Sequence, residues 1–418
     1  MKLFYLTFKS IRQRKASAAL TALTVALSVF LLLGVERVRT DARLGFSSTV
    51  SGTDLLVGAR SGPVTLLLYA VFHVGEATNN ITWKSYEDIR AMPEVAWTVP
   101  LSLGDSHRGF RVTGTTTDFF VHYHYGKGNA LVFADGKPFS DLYDAVIGAE
   151  VARRLHYKVG DTIVLAHGVG GTDLAMHADK PFRISGVMAA TGTPVDATIA
   201  VSLQAIEAIH LDWHSGIRLP GTETTADQAR HEDLTPKAIT AALIGLRSRL
   251  SAFAVQQAIN EYPQEPLLSV LPGVALGELW HLLGAAENAL RAVSAMVLLV
   301  GMSGMLTALL GTLGERRREM AILRAVGAST GTVFALLVME SMLLTVLGMV
   351  AGVALLTSVT VVAHDYLLAH AGLVIDGAPV PGEWLLLAVV LAVGSLAGCI
   401  PGWVAYRRSL ADGLQVRI

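Results

Sequence analysis

The sequence predicts an α+β integral membrane protein, with four transmembrane helices and a large α+β extracytoplasmic domain between the first and the second. Three observations carry this. The 418 residues are 52% hydrophobic and only 16% charged, against about 25% charged in an ordinary soluble domain. The apolar excess is gathered into a few uncharged runs rather than spread. Residues 37–285, between two of those runs, carry the charges, turns and alternating patterns of a folded body. The same numbers exclude other classes. A formal net charge of −1 offers no basic field for nucleic acid, and a single Cys excludes a disulfide scaffold.

Taken in order, residues 1–15 read as a cytoplasmic amphipathic helix, with Leu3, Phe4, Phe8 and Ile11 at helical spacing among Lys and Arg. A plain positive flank is the simpler reading of the same residues. Ala16–Val35 is uncharged and gives the first span, 16–36. Its basic start would also suit a signal peptide. The apolar core is longer than the usual 7–15 residues or so and no A-x-A site follows, so an uncleaved anchor is expected. Ala292–Gly314 and Trp384–Tyr406 are uncharged and give the second and fourth spans, 286–314 and 384–406. Ala325–Ala363 contains one ionisable residue, Glu340, and is too long for one straight span. A helix end at Gly327 leaves the third span at 330–363.

Orientation follows from Lys and Arg near the spans. Lys2, Lys9, Arg12, Arg14 and Lys15 precede the first span. Arg316, Arg317, Arg318 and Arg324 follow the second, and Arg407, Arg408 and Arg417 follow the fourth. The loop 364–383 has no Lys or Arg. Both termini, the 315–329 connection and the 407–418 tail are therefore expected in the cytoplasm, with the 37–285 domain and the 364–383 loop outside. Arg37, Arg39 and Arg43 fall on the outer side, where the rule is weak because a large domain follows.

Within 37–285, strands are expected at Ala145–Gly148, Thr162–Leu165, Phe182–Val187, Ala197–Val201 and Ile239–Leu246. Helices are expected at Trp83–Met92 and Ser251–Tyr262, each stopping before a Pro, and at Ala149–Leu155. Gly277–Leu290 should run as one helix into the second span. Leu66–Val74 is too short to cross a membrane and reads as a buried strand or helix, or else as a surface for lipid or an apolar substrate. Gly216–Pro236 is polar and Gly/Thr-rich, a mobile loop or edge.

Small residues recur where spans should pack. Gly348 and Gly352 are four apart in the third span, and Gly394, Gly398 and Gly402 repeat every four in the fourth. This spacing lets helix backbones approach closely, although Gly is also simply common in membrane helices. Glu340 should face protein or water rather than lipid, as a structural hydrogen-bonding group more readily than as a proton relay.

Residues 315–329 read Glu315-Arg316-Arg317-Arg318-Glu319-Met320-Ala321-Ile322-Leu323-Arg324-Ala325-Val326-Gly327-Ala328-Ser329. From the residues alone this is a short amphipathic helix that could meet a partner, or a positive-inside anchor. In the outer domain, Val146-Ile147-Gly148-Ala149-Glu150-Val151-Ala152-Arg153-Arg154-Leu155 is followed by Val159-Gly160-Asp161, then by Phe182–Val187 and Thr191-Gly192-Thr193-Pro194. The first block resembles the segment after the second span of FtsX-like permease domains. The others resemble the MacB-type periplasmic core domain. Together they cover nearly the whole chain and place it among type VII ABC transporter permeases.

That resemblance implies a dimer of permease chains, of one or two kinds, driven by two cytoplasmic ABC ATPase subunits. It implies a multi-pass protein of the bacterial inner membrane, contacting lipid, with a periplasmic adaptor or substrate-binding protein as a further partner. The 315–329 segment would couple the ATPase to the spans, through Glu315, Arg316, Arg317, Arg318, Glu319, Met320, Ile322, Leu323, Arg324 and Gly327. Substrates of the lipoprotein, peptide, haem or drug class would be exported or extracted at the outer face. The sequence contains no G-x-x-x-x-G-K-[ST], so no cofactor is expected on this chain, and ATP with Mg is expected on a separate subunit. The alternative is an FtsX-like signalling scaffold that controls a periplasmic partner such as a cell-wall hydrolase. No nucleophile, base and orienting group assemble at recognisable spacing, so an enzyme is not expected.

No metal site is expected either. His122 with His124, on one face of a strand, and His210 with His214, on one face of a helix, are the candidates by spacing. No further ligand can be assigned to either pair.

Overall fold

The computed structural model describes residues 14–49, 51–168, 176–214, 217–218, 224–371 and 381–411, with Thr7, Lys9 and Arg12. Most of the expected N-terminal amphipathic helix, Leu3, Phe4, Phe8 and Ile11 included, lies outside these residues. The chain divides into two compact units. One comprises residues 1–41, 284–367 and 375–418, and the other 42–283 and 368–374.

The outer unit is built on one mixed sheet of eleven strands. In chain order these are β1 (Leu55–Ala59), β2 (Val95–His107), β3 (Phe110–Thr115), β4 (Phe133–Gly136), β5 (Asp144–Ile147), β6 (Thr162–Ile163), β7 (Ala166–His167), β8 (Phe182–Met188), β9 (Thr198–Ser202), β10 (Ala241–Leu246) and β11 (Leu267–Val270). The order across the sheet is β11-β1-β10-β2-β3-β9-β5-β8-β4, with β7 paired to β2 and β6 to β8. The β3–β9 and β5–β8 pairs are parallel and the other pairs antiparallel.

Strand periodicity sorts the core. Leu56, Ala241, Leu243, Val146 and Ala200 point to one face, where a single cluster runs with Leu66, Leu67 and Tyr69. Their alternates divide the other face. Leu55, Val57, Ala242 and Ile244 pack with Tyr86, Ile89, Val255 and Ile259. Val112, Ala145, Ile147, Ile184, Ile199 and Val201 pack with Val151, Ala208 and Ile209. Strands covered on both faces read as continuous apolar runs, as β1 (LLVGA) does. β8 alternates between buried and more open positions.

The helices that cover the sheet have local causes. α2 (Pro63–Val71) starts with Pro in its first turn and buries Leu66, Leu67, Tyr69, Ala70 and Val71. Of the Leu66–Val74 run, Leu66–Val71 is thus a buried helix, while His73 turns with positive φ and Val74 is exposed. α3 (Trp83–Arg90) is capped by Thr82, whose side chain accepts from the Ser85 N–H. α4 (Asp118–His122) and α5 (Ala149–Leu155) are short. α6 (Leu203–His210) is capped by Ser202 and lies on β3 at Gly114, where a methyl group would sit 2.5 Å from Ile206 Cγ1. α7 is Ala252–Asn260. Of the polar stretch 216–236, a short helix at Ala226–Ala229 carries a capping box from Thr225 and Gln228, and residues 216 and 219–223 lie outside the described set.

Among the described residues, the other unit is made of four long helices, each apolar and long enough to cross a membrane. These are α1 (Lys15–Ser48), α8 (Pro272–Ala325), α9 (Thr330–Ala371) and α10 (Pro381–Ala411). Two differences from the sequence reading stand out. Residues 315–325 are no separate short helix but the last turns of α8, because nothing between Pro272 and Ala325 interrupts the hydrogen-bond ladder. The expected loop 364–383 is helical through Ala371, and residues 372–380 lie outside the described set.

Candidate functional site

The helix-to-helix connection is defined by backbone chemistry. Gly327 has φ +100°, the left-handed conformation that Gly adopts without a Cβ clash. The Ala328 N–H donates to the Leu323 carbonyl at 3.0 Å and the Gly327 N–H to the Arg324 carbonyl at 2.9 Å. This pair of bonds is a Schellman motif, and it terminates α8. Ser329 then caps α9, its hydroxyl accepting from the Thr332 N–H at 3.2 Å. The Gly327-Ala328-Ser329 signature thus encodes a tight, rigid corner.

The faces of this corner differ. Met320 packs against a small cluster of Leu313, Val333, Leu337 and Ala405. Ile322 and Val326 are 57% and 84% exposed, with Arg324 also exposed between them and Leu323 half-buried. The side chains of Glu315, Arg316, Arg317, Arg318 and Glu319 lie outside the described residues.

The predicted small residues sit at helix contacts. A methyl group on Gly348 would lie 2.6 Å from Val25 Cβ, and one on Gly352 would lie 2.6 Å from the Ala26 carbonyl oxygen, so α9 meets α1 there. Gly394, Gly398 and Gly402 face Thr345, Ser341 and Phe334, so α10 meets α9. The Ser341 hydroxyl donates across this seam to the Gly394 carbonyl at 2.6 Å. Glu340, beside it, is 4% exposed.

Charges at the other end of the same unit were missed as a set. Arg37 donates from Nε and Nη2 to the two carboxylate oxygens of Glu383 at 2.8 and 2.9 Å, and both side chains are buried. Arg39 binds Glu36 on its own helix and reaches Glu287 on α8 at 3.3 Å. Ion pairs therefore clamp α1 to α8 and to α10. The only sequence signal was that Arg37 and Arg39 broke the positive-inside pattern, as bases with a partner elsewhere do.

The histidine candidates separate. His122 lies in α4, not on a strand, and stacks on Trp97 with ring centroids 4.7 Å apart. His124 turns its Nδ1 to the His122 carbonyl at 2.8 Å. α6 ends at His210 and His214 lies on a two-residue strand with Trp213, so the two share no helix face; the side chain of His214 lies outside the described residues. His210 does meet other ligand-type groups, but they are Asp105, His167 and His177, from distant segments. Spacing could not reveal them, because strand pairing rather than sequence proximity brings them together. A cavity of about 260 Å³ in the outer unit is lined by Tyr69, His73, Glu76, Arg111 and His167 among others. Burial first, and the Arg111 charge second, hold His73 down at about 4, so it is neutral at pH 7.

With these features in place, comparison with known proteins assigns the class. Residues 18–262 match the MacB-like periplasmic core domain, and residues 291–411 match the FtsX-like permease C-terminal domain. The chain belongs to the ABC transporter permeases of the MacB/FtsX type. It is similar to an uncharacterized ABC transporter permease of Methanocaldococcus jannaschii, 24% identical over 421 residues that cover 96% of this chain and 93% of that one. It is also similar to the macrolide export ATP-binding/permease protein MacB of Nitrobacter winogradskyi, 24% identical over 410 residues. That match covers 90% of this chain but 56% of the MacB protein. Among solved structures, the periplasmic region of MacB from Actinobacillus actinomycetemcomitans aligns with 55% of this chain and 94% of that one, at 8% identity and a TM-score of 0.34. Four helices fit to cross a membrane and a MacB-like periplasmic core domain fit a bacterial inner-membrane protein.

Proposed function

We propose that this chain is the membrane subunit of an ABC system in which a separate ATPase, carrying ATP and Mg, drives movement of the outer domain. The observation that carries the reading is the corner at 320–329. It exposes Ile322 and Val326 beside Arg324 while Met320 roots it in the helix bundle. Exposed apolar side chains next to a base on a rigid element are what a protein partner can grip. A push there enters α8, which runs unbroken from Ala325 back to Pro272. Helices transmit displacement along their axis because consecutive i to i−4 hydrogen bonds hold their length fixed. In this reading the corner and both termini are cytoplasmic and the outer domain is periplasmic, in keeping with the Lys and Arg distribution.

Two copies of the permease chain, or this chain and a homologue, would meet two ATPase subunits. The cargo would be a lipoprotein, peptide, haem or drug handled at the outer face. The test is purification in mild detergent with identification of the co-purifying polypeptides. A polypeptide bearing G-x-x-x-x-G-K-[ST] should accompany the native chain and be lost from an Ile322→Glu, Val326→Glu variant that still inserts in the membrane. Retention of the same ATPase by that variant would remove the corner from the coupling role.

A further inference from the structure

Four side chains of the outer unit converge from segments far apart in sequence. Asp105 is on β2. His167 is on β7, which pairs with β2 in a register that sets His167 opposite Asp105. His177 follows an isolated bridge between Met176 and Ala166, and its N–H bonds the Leu165 carbonyl at 2.9 Å. His210 is the last residue of α6. One ligand atom from each of the four lies within 4.8 Å of the others.

Three of these atoms are closer still. Asp105 Oδ1 is 3.2 Å from His167 Nδ1, His167 Nδ1 is 3.2 Å from His210 Nε2, and His210 Nε2 is 3.5 Å from Asp105 Oδ1. Four ligands placed about 2.0–2.1 Å from a zinc ion at tetrahedral angles are about 3.3 Å apart, so this triangle already has the size of a tetrahedral face.

The lone pairs point the same way. His210 Nδ1 donates to the Ile206 carbonyl at 2.8 Å, which leaves Nε2 of the neutral ring as a bare acceptor facing a carboxylate oxygen. Such a contact is satisfied by a proton on Nε2 or by a metal ion between the groups. The Ile206 carbonyl is the kind of outer partner that orients a metal-binding imidazole. His177 supplies an independent observation. It is 1% exposed, and its Nε2 is buried without a hydrogen-bond partner. A buried ring nitrogen left unpaired costs free energy unless something binds it. Trp213 packs against the rings of His167 and His177 and walls the cluster with apolar surface. His167 is exposed, so an ion can arrive from solvent on its side.

We propose that Asp105, His167, His177 and His210 form a binding site for a divalent cation of the zinc type. Three imidazoles and one carboxylate suit zinc, with copper(II) and nickel(II) as competitors, and disfavour magnesium and calcium, which take oxygen ligands. The bound ion would pin α6, β7 and His177 to the central strand β2. This stands apart from the ATPase-coupling reading, and its failure would leave that reading untouched.

The test uses the full chain in detergent, purified without a polyhistidine tag, stripped with a chelator and titrated calorimetrically with zinc chloride. One equivalent should bind, and zinc should raise the melting temperature. His167→Ala, at an exposed position that the fold tolerates, should weaken binding by about tenfold or more, as should His177→Ala, while His124→Ala should change nothing. Cobalt(II), added in place of zinc, should give the intense visible bands of a tetrahedral site, and this decides the matter should His177→Ala fail to fold. No saturable heat in the native chain, which would mean that a shared proton alone holds the cluster, overturns the proposal. So does an affinity unchanged by His167→Ala, or a cobalt spectrum of the weak octahedral kind.

Discussion

The helix bundle and the outer sheet share two packing devices, buried branched side chains and glycines that admit a neighbour, but place them differently. In the sheet, close contact is made by branched and aromatic side chains, such as Phe182, Ile184, Ile199 and Val201. In the bundle, the seams of α9 with α1 and with α10 fall at glycines, Gly348 and Gly352 on one side and Gly394, Gly398 and Gly402 on the other. The physical reason is the solvent. Water rewards burial of apolar surface by about 25 cal/mol per Å². Lipid does not, so membrane helices gain from close approach and from polar contacts such as Ser341 to the Gly394 carbonyl. Removing atoms from the branched core of the sheet should therefore damage it, and adding atoms at the glycine seams should damage the bundle.

The largest effect should come from Phe182→Ala. This ring is fully buried and meets Tyr143 edge-on at 5.6 Å between centroids. Its loss should destabilise the outer domain by about 3–5 kcal/mol. Hydrogen exchange read by mass spectrometry on the full chain in detergent would localise that loss to β5, β8 and β9. Glu383→Gln should follow, at about 3 kcal/mol, because it leaves the Arg37 guanidinium buried beside a neutral group. Detergent-resistant packing of α1 with α10, read by a disulfide engineered across them, would report it. Gly352→Leu should cost about 1–3 kcal/mol by forcing α9 away from the Ala26 carbonyl, whereas Gly284→Ala, with open space at its Cβ, should cost nothing measurable. Equal effects of these two glycine changes on thermal unfolding would refute the seam.

A smaller effect should follow pH. His73 titrates at about 4 in the folded protein, below its ordinary value of 6.5, so the unfolded chain takes up the proton first as pH falls. Outer-domain stability from this residue is complete above pH 6.5 and declines as pH falls towards 4. His73→Gln should flatten that part of a stability–pH curve. Smallest of all, Ile322→Glu should change stability by less than about 0.5 kcal/mol, since the side chain is exposed. Its effect should fall on ATPase capture alone.

What the sequence disclosed was what is locally encoded. The helix Ala149–Leu155 and the stop at Gly327 were legible because turn and cap chemistry is written in adjacent residues. The central strand β2 was not, because Pro100 and Gly104 break its pattern. Pro100 is tolerated because the neighbouring pairs hold the register, with Pro100 set opposite Ala242 on β10. The unbroken run of α8 through residue 325 was also hidden, since charge in 315–324 looks like a new element. In the candidate sites, the corner was legible as a motif. The Arg37–Glu383 clamp and the Asp105, His167, His177 and His210 cluster were not, because tertiary pairing across 346 and up to 105 positions respectively leaves no spacing to read.

The central claim is that the corner and the outer sheet lie on opposite sides of one membrane. It is tested by labelling single cysteines placed in a Cys399→Ser background, at the exposed positions Lys158→Cys and Val326→Cys, with a membrane-impermeant maleimide on intact spheroplasts. The account predicts that Lys158→Cys is labelled at once and Val326→Cys only after the membrane is permeabilised. Labelling of both from the same side would contradict it.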